Sequence, residues 1–237
     1  MKRLRLAVKK EKALRFLSHL DFARTVRYII IRAGIPVCYS EGFNPHMKIS
    51  FASALGVGVA ADIEYMDMEL IEEIPVAEVI RSMNEKSSQG FAVLKGAYVD
   101  EKAPKLMAMA NYAVYELSGP LVGIMDQGEL NTLLEKFNQS DTIIYERFSP
   151  KTHRKRMIDV KEHIVEPVTG SIAGDTISIR IGILQNENGA IKPGQVWEVL
   201  CEQFAMAAAA DMMLARRIGI FHRAEGICYS LFEVSDS

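Results

Sequence analysis

Residues 2–8, KRLRLAV, and 18–36, SHLDFARTVRYIIIRAGIP, decide how the chain is read. In the first stretch Leu4, Leu6 and Val8 alternate with Arg3 and Arg5, the period of two expected of a half-exposed strand. In the second, Ser18 and Asp21 stand at the spacing of a capping box. Gly34 sits where a C-terminal glycine belongs and Pro36 blocks continuation, so the spacing predicts a helix over 20–33. Working outward, residues 38–41 and 49–52 are short extended pieces around the turn Gly42–Phe43–Asn44–Pro45. A strand is expected over 64–70, where Glu64, Met66, Met68 and Leu70 share a side. Pro75 opens a helix over 76–84, and 91–99 returns as a strand. The order is strand, helix, two strands, helix, strand. The second half repeats it: a strand over 112–117, a helix over 127–138, strands over 142–148 and 157–166, an isoleucine-alternating strand over 176–184, a helix over 195–209 and a strand over 214–221. The expected fold class is therefore α+β, two tandem ferredoxin-like βαββαβ units, with residues 1–105 holding the His/Asp and GFNPH motifs and 106–237 a basic loop.

Composition narrows the class of function. At 237 residues, 49% hydrophobic and 24% charged, the chain has the makings of ordinary cores, which excludes disordered and collagen-like classes. Its longest apolar run, 204–210, is far short of the roughly 20 residues that cross a bilayer. Charges at Lys9, Lys10, Glu11 and Lys12 interrupt the start where a signal peptide would be apolar, so the protein is expected to be cytoplasmic and away from membranes. Cys38, Cys201 and Cys228 are odd in number and far apart, which argues for a reducing compartment and against a zinc ribbon or iron–sulfur site; no cofactor and no metal are expected.

A net charge of −2 conceals strong asymmetry. Residues 1–51 hold eleven lysines and arginines against three acidic residues, 52–95 hold three against eight, and 147–161 hold six against one. Two separated basic blocks on a near-neutral chain point to an anionic partner, RNA first among them, with two solvated faces as the alternative.

The densest polar groups lie at Ser18–Asp21 with Arg24 and at residues 40–48. On the helix, Asp21, Arg24, Thr25, Tyr28 and Arg32 share an arc opposite Ala23, Val26, Ile30 and Ala33. Asp21 is placed to hold Arg24 one turn on, leaving Arg32 to meet phosphate and Tyr28 to stack. In the loop, Phe43 beside His46 and Lys48 is a set that stacks on an unpaired base while a cation meets phosphate; alternatively Phe43 plugs the loop onto the core. His19, Asp21 and His46 are the candidate acid–base set. The run 150–156, with Arg154, Lys155 and Arg156, falls between two strands and reads as a basic hairpin tip able to follow a phosphate backbone, or as a solubilising loop. Asp159 and His163 are expected on the polar face of the strand after it, and Arg216, Arg217, His222 and Arg223 as an extension of the basic surface.

The stretches 15–21 (RFLSHLD), 32–36 (RAGIP), 39–46 (YSEGFNPH), 48–52 (KISFA) and 64–67 (EYMD) together resemble the radical SAM-linked protein family. This is an uncharacterised bacterial domain, found alone or attached to a radical SAM protein; the present chain resembles the standalone form. The specific motifs lie almost all in residues 1–70, with a looser second-half motif at 156–161 (RMIDVK). Met47 stands where the family loop has a second proline, so the loop is expected to be less rigid. The resemblance implies a substrate-presenting or accessory role with a radical SAM protein as partner, and the chain lacks the Cys-x3-Cys-x2-Cys that holds such an enzyme's cluster. Three functions follow as expectations. The first is an RNA-binding or RNA-presenting accessory protein using Arg24, Tyr28, Arg32, Phe43, Lys48, Arg154, Lys155 and Arg156. The second is an RNA-modifying or RNA-cleaving enzyme using His19, Asp21 or His46. The third is a protein-interaction module docking a radical SAM partner through the acidic segment 62–78.

Overall fold

The basic segment that opens the chain is a strand, as its alternation requires, but both of its faces are covered. The computed structural model describes residues 2–100, 102–149, 153–186 and 191–233, with every side chain in them except those of Ser149 and Arg154. In chain order the elements are β1 (Lys2–Lys10), α1 (His19–Arg32), β2 (Ile49–Phe51), β3 (Val59–Leu70), α2 (Val76–Lys86), β4 (Phe91–Val99) and α3 (Leu106–Met109). There follow β5 (Tyr112–Pro120), α4 (Gln127–Gln139), β6 (Ile144–Ser149), β7 (Arg154–Asp159), β8 (Thr169–Ala173), β9 (Thr176–Leu184), α5 (Pro193–Glu202), β10 (Leu214–Ala224) and β11 (Ile227–Tyr229). The protein is mixed α+β, with antiparallel strands predominating over a few helices. It divides into two compact units, Met1–Asn111 with Arg217–Ser237, and Tyr112–Arg216.

In the first unit β1 is central. It pairs antiparallel with β3, placing Leu6 opposite Met66, and on its other edge with β4, placing Leu6 opposite Gly96. β2 pairs antiparallel with β3, Phe51 opposite Met66. Leu4, Leu6, Val8, Met66 and Met68 face α1 through Phe22, Val26, Ile29 and Ile30 and α2 through Val79 and Met83, which form one buried cluster. α1 begins and ends one residue before its expected bounds, and Gly34, with φ +70°, lets the chain turn away behind it.

The half-exposed reading of β1 is corrected here, because Arg5 and Lys10 are fully buried. Arg5 makes a fork with Asp67, Nε to Oδ1 at 2.8 Å and Nη2 to Oδ2 at 2.9 Å, and Nη1 donates to the Leu231 carbonyl. A strand's period of two separates its faces, but it does not say that a returning C-terminal segment will cover the second one.

In the second unit β9 pairs antiparallel with both β5 and β8, Tyr115 opposite Ile181 and Ile172 opposite Ile177. Leu117, Ile177, Ile179 and Ile181 are buried, as are Leu130, Leu134 and Phe137 of α4 and Val196, Trp197 and Leu200 of α5. A capping box of Asp126 and Glu129 starts α4. β6 and β7 form a separate two-stranded ribbon between α4 and β8.

Two expected elements end early. The helix expected over 195–209 stops at Glu202 because the chain reverses at Ala205, with φ +56°; Met206 N–H reaches the Leu200 carbonyl at 2.9 Å, and Trp197 Nε1 donates to the Ala209 carbonyl at 3.1 Å. The strand expected over 157–166 stops at Asp159, whose carboxylate accepts from the backbone of Lys161 at 3.0 Å and Ile143 at 3.1 Å and starts a tight turn over Val160–Glu162. That turn carries His163 inward, so it is buried rather than on a polar strand face. β8 was not expected from its short, glycine-containing sequence. Among the described residues, no helix is long and apolar enough to cross a membrane.

Candidate nucleic-acid interface

The motif residues of the first unit gather at the start of α1 and in the loop after it. Ser18 caps α1: its Oγ accepts from Asp21 N–H at 3.2 Å and donates to Asp21 Oδ2 at 2.7 Å. Asp21 Oδ1 lies 3.5 Å from Arg24 Nη1, so the expected i,i+3 pair is present, on exposed side chains. His19 is half-buried with its ring edge-on to Phe51, centroids 5.4 Å apart. Burial, then the nearby Lys10 ammonium, hold its pKa below the ordinary 6.5. The loop's neck is closed by the bridge between Tyr39 and Met47, by Ser40 N–H to the His46 carbonyl at 2.8 Å, and by His46 N–H to Ser40 Oγ at 2.9 Å. Its tip is exposed, and Phe43 is wholly exposed rather than plugged onto the core.

Other positions are engaged differently. Lys48 is half-buried and pairs with Glu69 at 3.0 Å, which with that hydrogen bond raises its pKa. Arg32 donates to the Lys86 carbonyl at the C-terminal end of α2, while Tyr28 is exposed. His19, Asp21 and His46 share no hydrogen bond, and among the described residues no three His, Cys, Asp or Glu side chains come together as metal ligands. In the acidic segment 62–78, Glu64 and Asp67 are buried beside Arg217 and Arg5, while Glu69 pairs with Lys48 on partly exposed side chains and Glu73 pairs with Lys2 at 3.1 Å on exposed ones.

A buried ionic cluster escaped the sequence reading. Arg217 Nη1 donates to Glu64 Oε1 at 2.7 Å, to Oε2 at 3.0 Å and to Ser53 Oγ at 2.7 Å. Burial pushes the Glu64 carboxyl up while Arg217 and Lys10 pull it down, and the net direction is upward. Lys10 Nζ donates to the Leu17 carbonyl at 3.1 Å and lies 5.2 Å from the Phe22 ring centroid; burial lowers its pKa. Arg217 therefore does not extend a basic surface, and His222 Nδ1 lies 2.9 Å from the Met109 carbonyl. Glu64 and Arg217 are 153 positions apart, so no local spacing would have betrayed the pair.

The second basic block forms the ribbon. Ile144 pairs with Asp159, Glu146 with Met157, Arg147 with Arg156 and Phe148 with Lys155. Side chains on paired residues share a face, so Arg147, Arg156 and the backbone position of Arg154 fall on one side. Ile144, Glu146, Phe148, Lys155 and Met157 fall on the other. Lys155 pairs with Glu146 at 2.7 Å, and Phe148 remains half exposed with its ring 6.2 Å from that of His153. Pro150, Lys151, Thr152 and the side chain of Arg154 lie outside the described residues. The foot of the ribbon is tied down by Tyr145 Oη to Glu198 Oε2 at 2.9 Å, Gln203 Nε2 to the Ile144 carbonyl at 2.9 Å, and Lys161 Nζ to the Asn138 carbonyl at 3.0 Å. An anchored ribbon with a guanidinium pair across its strands can lie along a phosphate backbone.

A family profile described as "Uncharacterized protein conserved in bacteria (DUF2344)" matches residues 3–193. No curated protein matches the chain. Among solved structures it is similar to a chain of the "Crystal Structure of a Cbf5-Nop10-Gar1 Complex", at 11% identity and TM-score 0.53, covering 91% of this chain and 48% of that one. It is also similar to a chain of the "Structure of H/ACA RNP bound to a substrate RNA containing 2'-deoxyuridine", at 11% identity and TM-score 0.48, covering 91% and 47%. The chain thus spans about half the length of these two structures' chains, and at this identity the first likeness shows fold alone.

Proposed function

The chain belongs to the conserved bacterial family whose profile it matches over residues 3–193, and from that premise we propose that it is an RNA-binding protein whose principal contact is the β6–β7 ribbon. The observation that carries this reading is the cross-strand pair Arg147 and Arg156 on one face of the ribbon. Guanidinium groups fork onto phosphate oxygens, and an anchored ribbon keeps their backbone spacing, so that only the side chains remain to be ordered at each contact. Arg24 and Tyr28 on α1, with the wholly exposed Phe43, would supply a separate cation and stacking groups on the first unit.

The tandem ferredoxin-like architecture belongs to the same reading. In the first unit the spatial order β4-β1-β3 with β2 on β3 is the 4-1-3-2 arrangement of a βαββαβ unit. In the second, β5-β9-β8 follows 1-3-2, with the ribbon inserted before β8 and β10 in the chain position of the fourth strand. We keep the division near residue 105 as the join of the two repeats. The resemblance of the N-terminal motifs to the radical SAM-linked family supports an accessory role, in which bound RNA is presented to a partner enzyme. The enzyme reading lacks such support, since His19, Asp21 and His46 do not act on one another.

The test is a salt titration of RNA affinity. Replacing Arg147, Lys155 and Arg156 together by Gln is expected to weaken binding of a single-stranded RNA by about tenfold or more, and to reduce the slope of log affinity against log salt by about 0.7 per lost phosphate contact. Unchanged affinity and slope in a variant that still folds would overturn the ribbon as the RNA contact.

A further inference from the structure

The cations of the ribbon account for one of its faces only. Ile144, Phe148 and Met157 share the face opposite Arg147 and Arg156, and they are 40%, 53% and 61% exposed. We propose that this second face stacks an unpaired base, so that the class of RNA taken by the ribbon is a single-stranded segment, a free strand or a loop, and not a duplex; the assignment rests on the RNA-binding reading above.

The fold itself gains little from these side chains. A ribbon of two strands has no second layer, and apolar surface that stays in water contributes nothing to folding. The ties that hold the foot run from Tyr145 to Glu198 and from Gln203 to the Ile144 carbonyl, away from Phe148 and Met157. Phe148 meets His153 edge-on, with ring centroids 6.2 Å apart and planes at 62°, a contact that leaves ring surface open. Phe148 and Met157 are diagonal neighbours across the strands, with backbones about 7–8 Å apart, so a base laid on the ring has the polarizable thioether beside it.

Charge decides which part of a nucleotide goes to which face. On the Phe148 face Lys155 is already paired with Glu146 at 2.7 Å, and Asp159 lies at the foot, so the sum offers a phosphate no attraction. The opposite face carries the guanidinium groups of Arg147 and Arg156. The neutral base therefore belongs on the first face and the phosphodiester on the second. Use of both faces at once sets the class of RNA. An A-form duplex keeps its bases stacked inside and its major groove too narrow for side chains, so it meets one face of a ribbon only, through its phosphates. An unpaired segment bends over the ribbon's edge, laying its backbone against Arg147 and Arg156 and turning a base onto Phe148. Every base has a π face, so the ribbon selects unpaired over paired RNA rather than one sequence over another.

The test compares a ten-nucleotide single-stranded RNA with the blunt duplex of the same sequence, on the whole protein at one salt concentration. The single strand is expected to bind about tenfold tighter. Phe148→Leu keeps the apolar bulk and removes the π face. It is expected to weaken the single strand about tenfold while leaving its salt slope and the duplex affinity unchanged. Phe148→Trp is expected to hold the single-strand affinity of the wild type, and its indole emission to be quenched as the strand binds, above the constant signal of buried Trp197. An equal loss on strand and duplex in Phe148→Leu would make Phe148 a support of the ribbon, and an unchanged single-strand affinity would remove it from the site; either result overturns the assignment. A dimer of the chain that dissociates in Phe148→Leu while RNA affinity holds would overturn it as well, giving the face to a second copy. The RNA-binding reading is separable. If substitution of Arg147, Lys155 and Arg156 still weakens both RNAs when the stack fails, that reading stands alone. If it weakens neither while Phe148→Leu weakens the single strand, the guanidinium contact has failed and the stack remains.

Discussion

His19 shows how much a single residue's role depends on what surrounds it. Its place at the start of α1 is legible because Ser18 and Asp21 form a local cap, and the Asp21–Arg24 pair is legible for the same reason. Its electrostatics were not legible, since they come from burial against Phe51 and from Lys10 on β1. The folded-state pKa lies below 6.5, so in that range the unfolded chain binds more protons than the native one, and stability falls as pH drops through it. Between about pH 7.5 and about pH 5.5, the urea midpoint of the wild type is expected to fall further than that of His19→Asn. Parallel profiles would show that the His19 proton costs the fold nothing. Phe43 makes the complementary point: its lack of apolar sequence neighbours admitted both a stacking and a core role, and its full exposure removes the core one.

At the scale of elements, periodicity located strands and helices but not their ends. β9 was readable because Ile177, Ile179, Ile181 and Ile183 alternate without interruption. α5 was read too long because residues 204–210 are apolar without a helical face, and the reversal at Ala205 answers to the Trp197 indole, which needs the Ala209 carbonyl. Close approach between strands is equally invisible in the sequence. A Cβ on Gly182 would lie 1.7 Å from the Tyr112 hydroxyl, which donates to Glu166 Oε2 at 2.7 Å. Gly182→Ala must therefore push Tyr112 aside across the β5–β9 pair, and the expected cost is about 1–3 kcal/mol, read from the urea midpoint. A change below about 0.5 kcal/mol would mean that the ring moves freely and that the tyrosine–glutamate contact is dispensable.

For the whole molecule, the decisive event is the return of the C-terminal segment to the first unit. Leu231 is fully buried, its carbonyl receives Arg5, and Phe232 packs edge-on against Tyr65 with Lys95 4.8 Å from its ring centroid. Leu231→Ala is expected to destabilise the protein by about 2–5 kcal/mol and to open β1 to proteolysis, which limited digestion followed by mass spectrometry would detect. Protection equal to the wild type would assign the closure to Phe232 and Arg217 alone. The sequence by itself determined the α+β character, the cap of α1, the alternation of β3 and β9 and the existence of a basic ribbon, because each is written in residues a few positions apart. Tertiary structure alone decided which charges face solvent. Arg5 with Asp67 and Glu64 with Arg217 come from distant segments, and whether such a side chain binds phosphate or holds the core depends on a neighbour that the chain supplies only after folding.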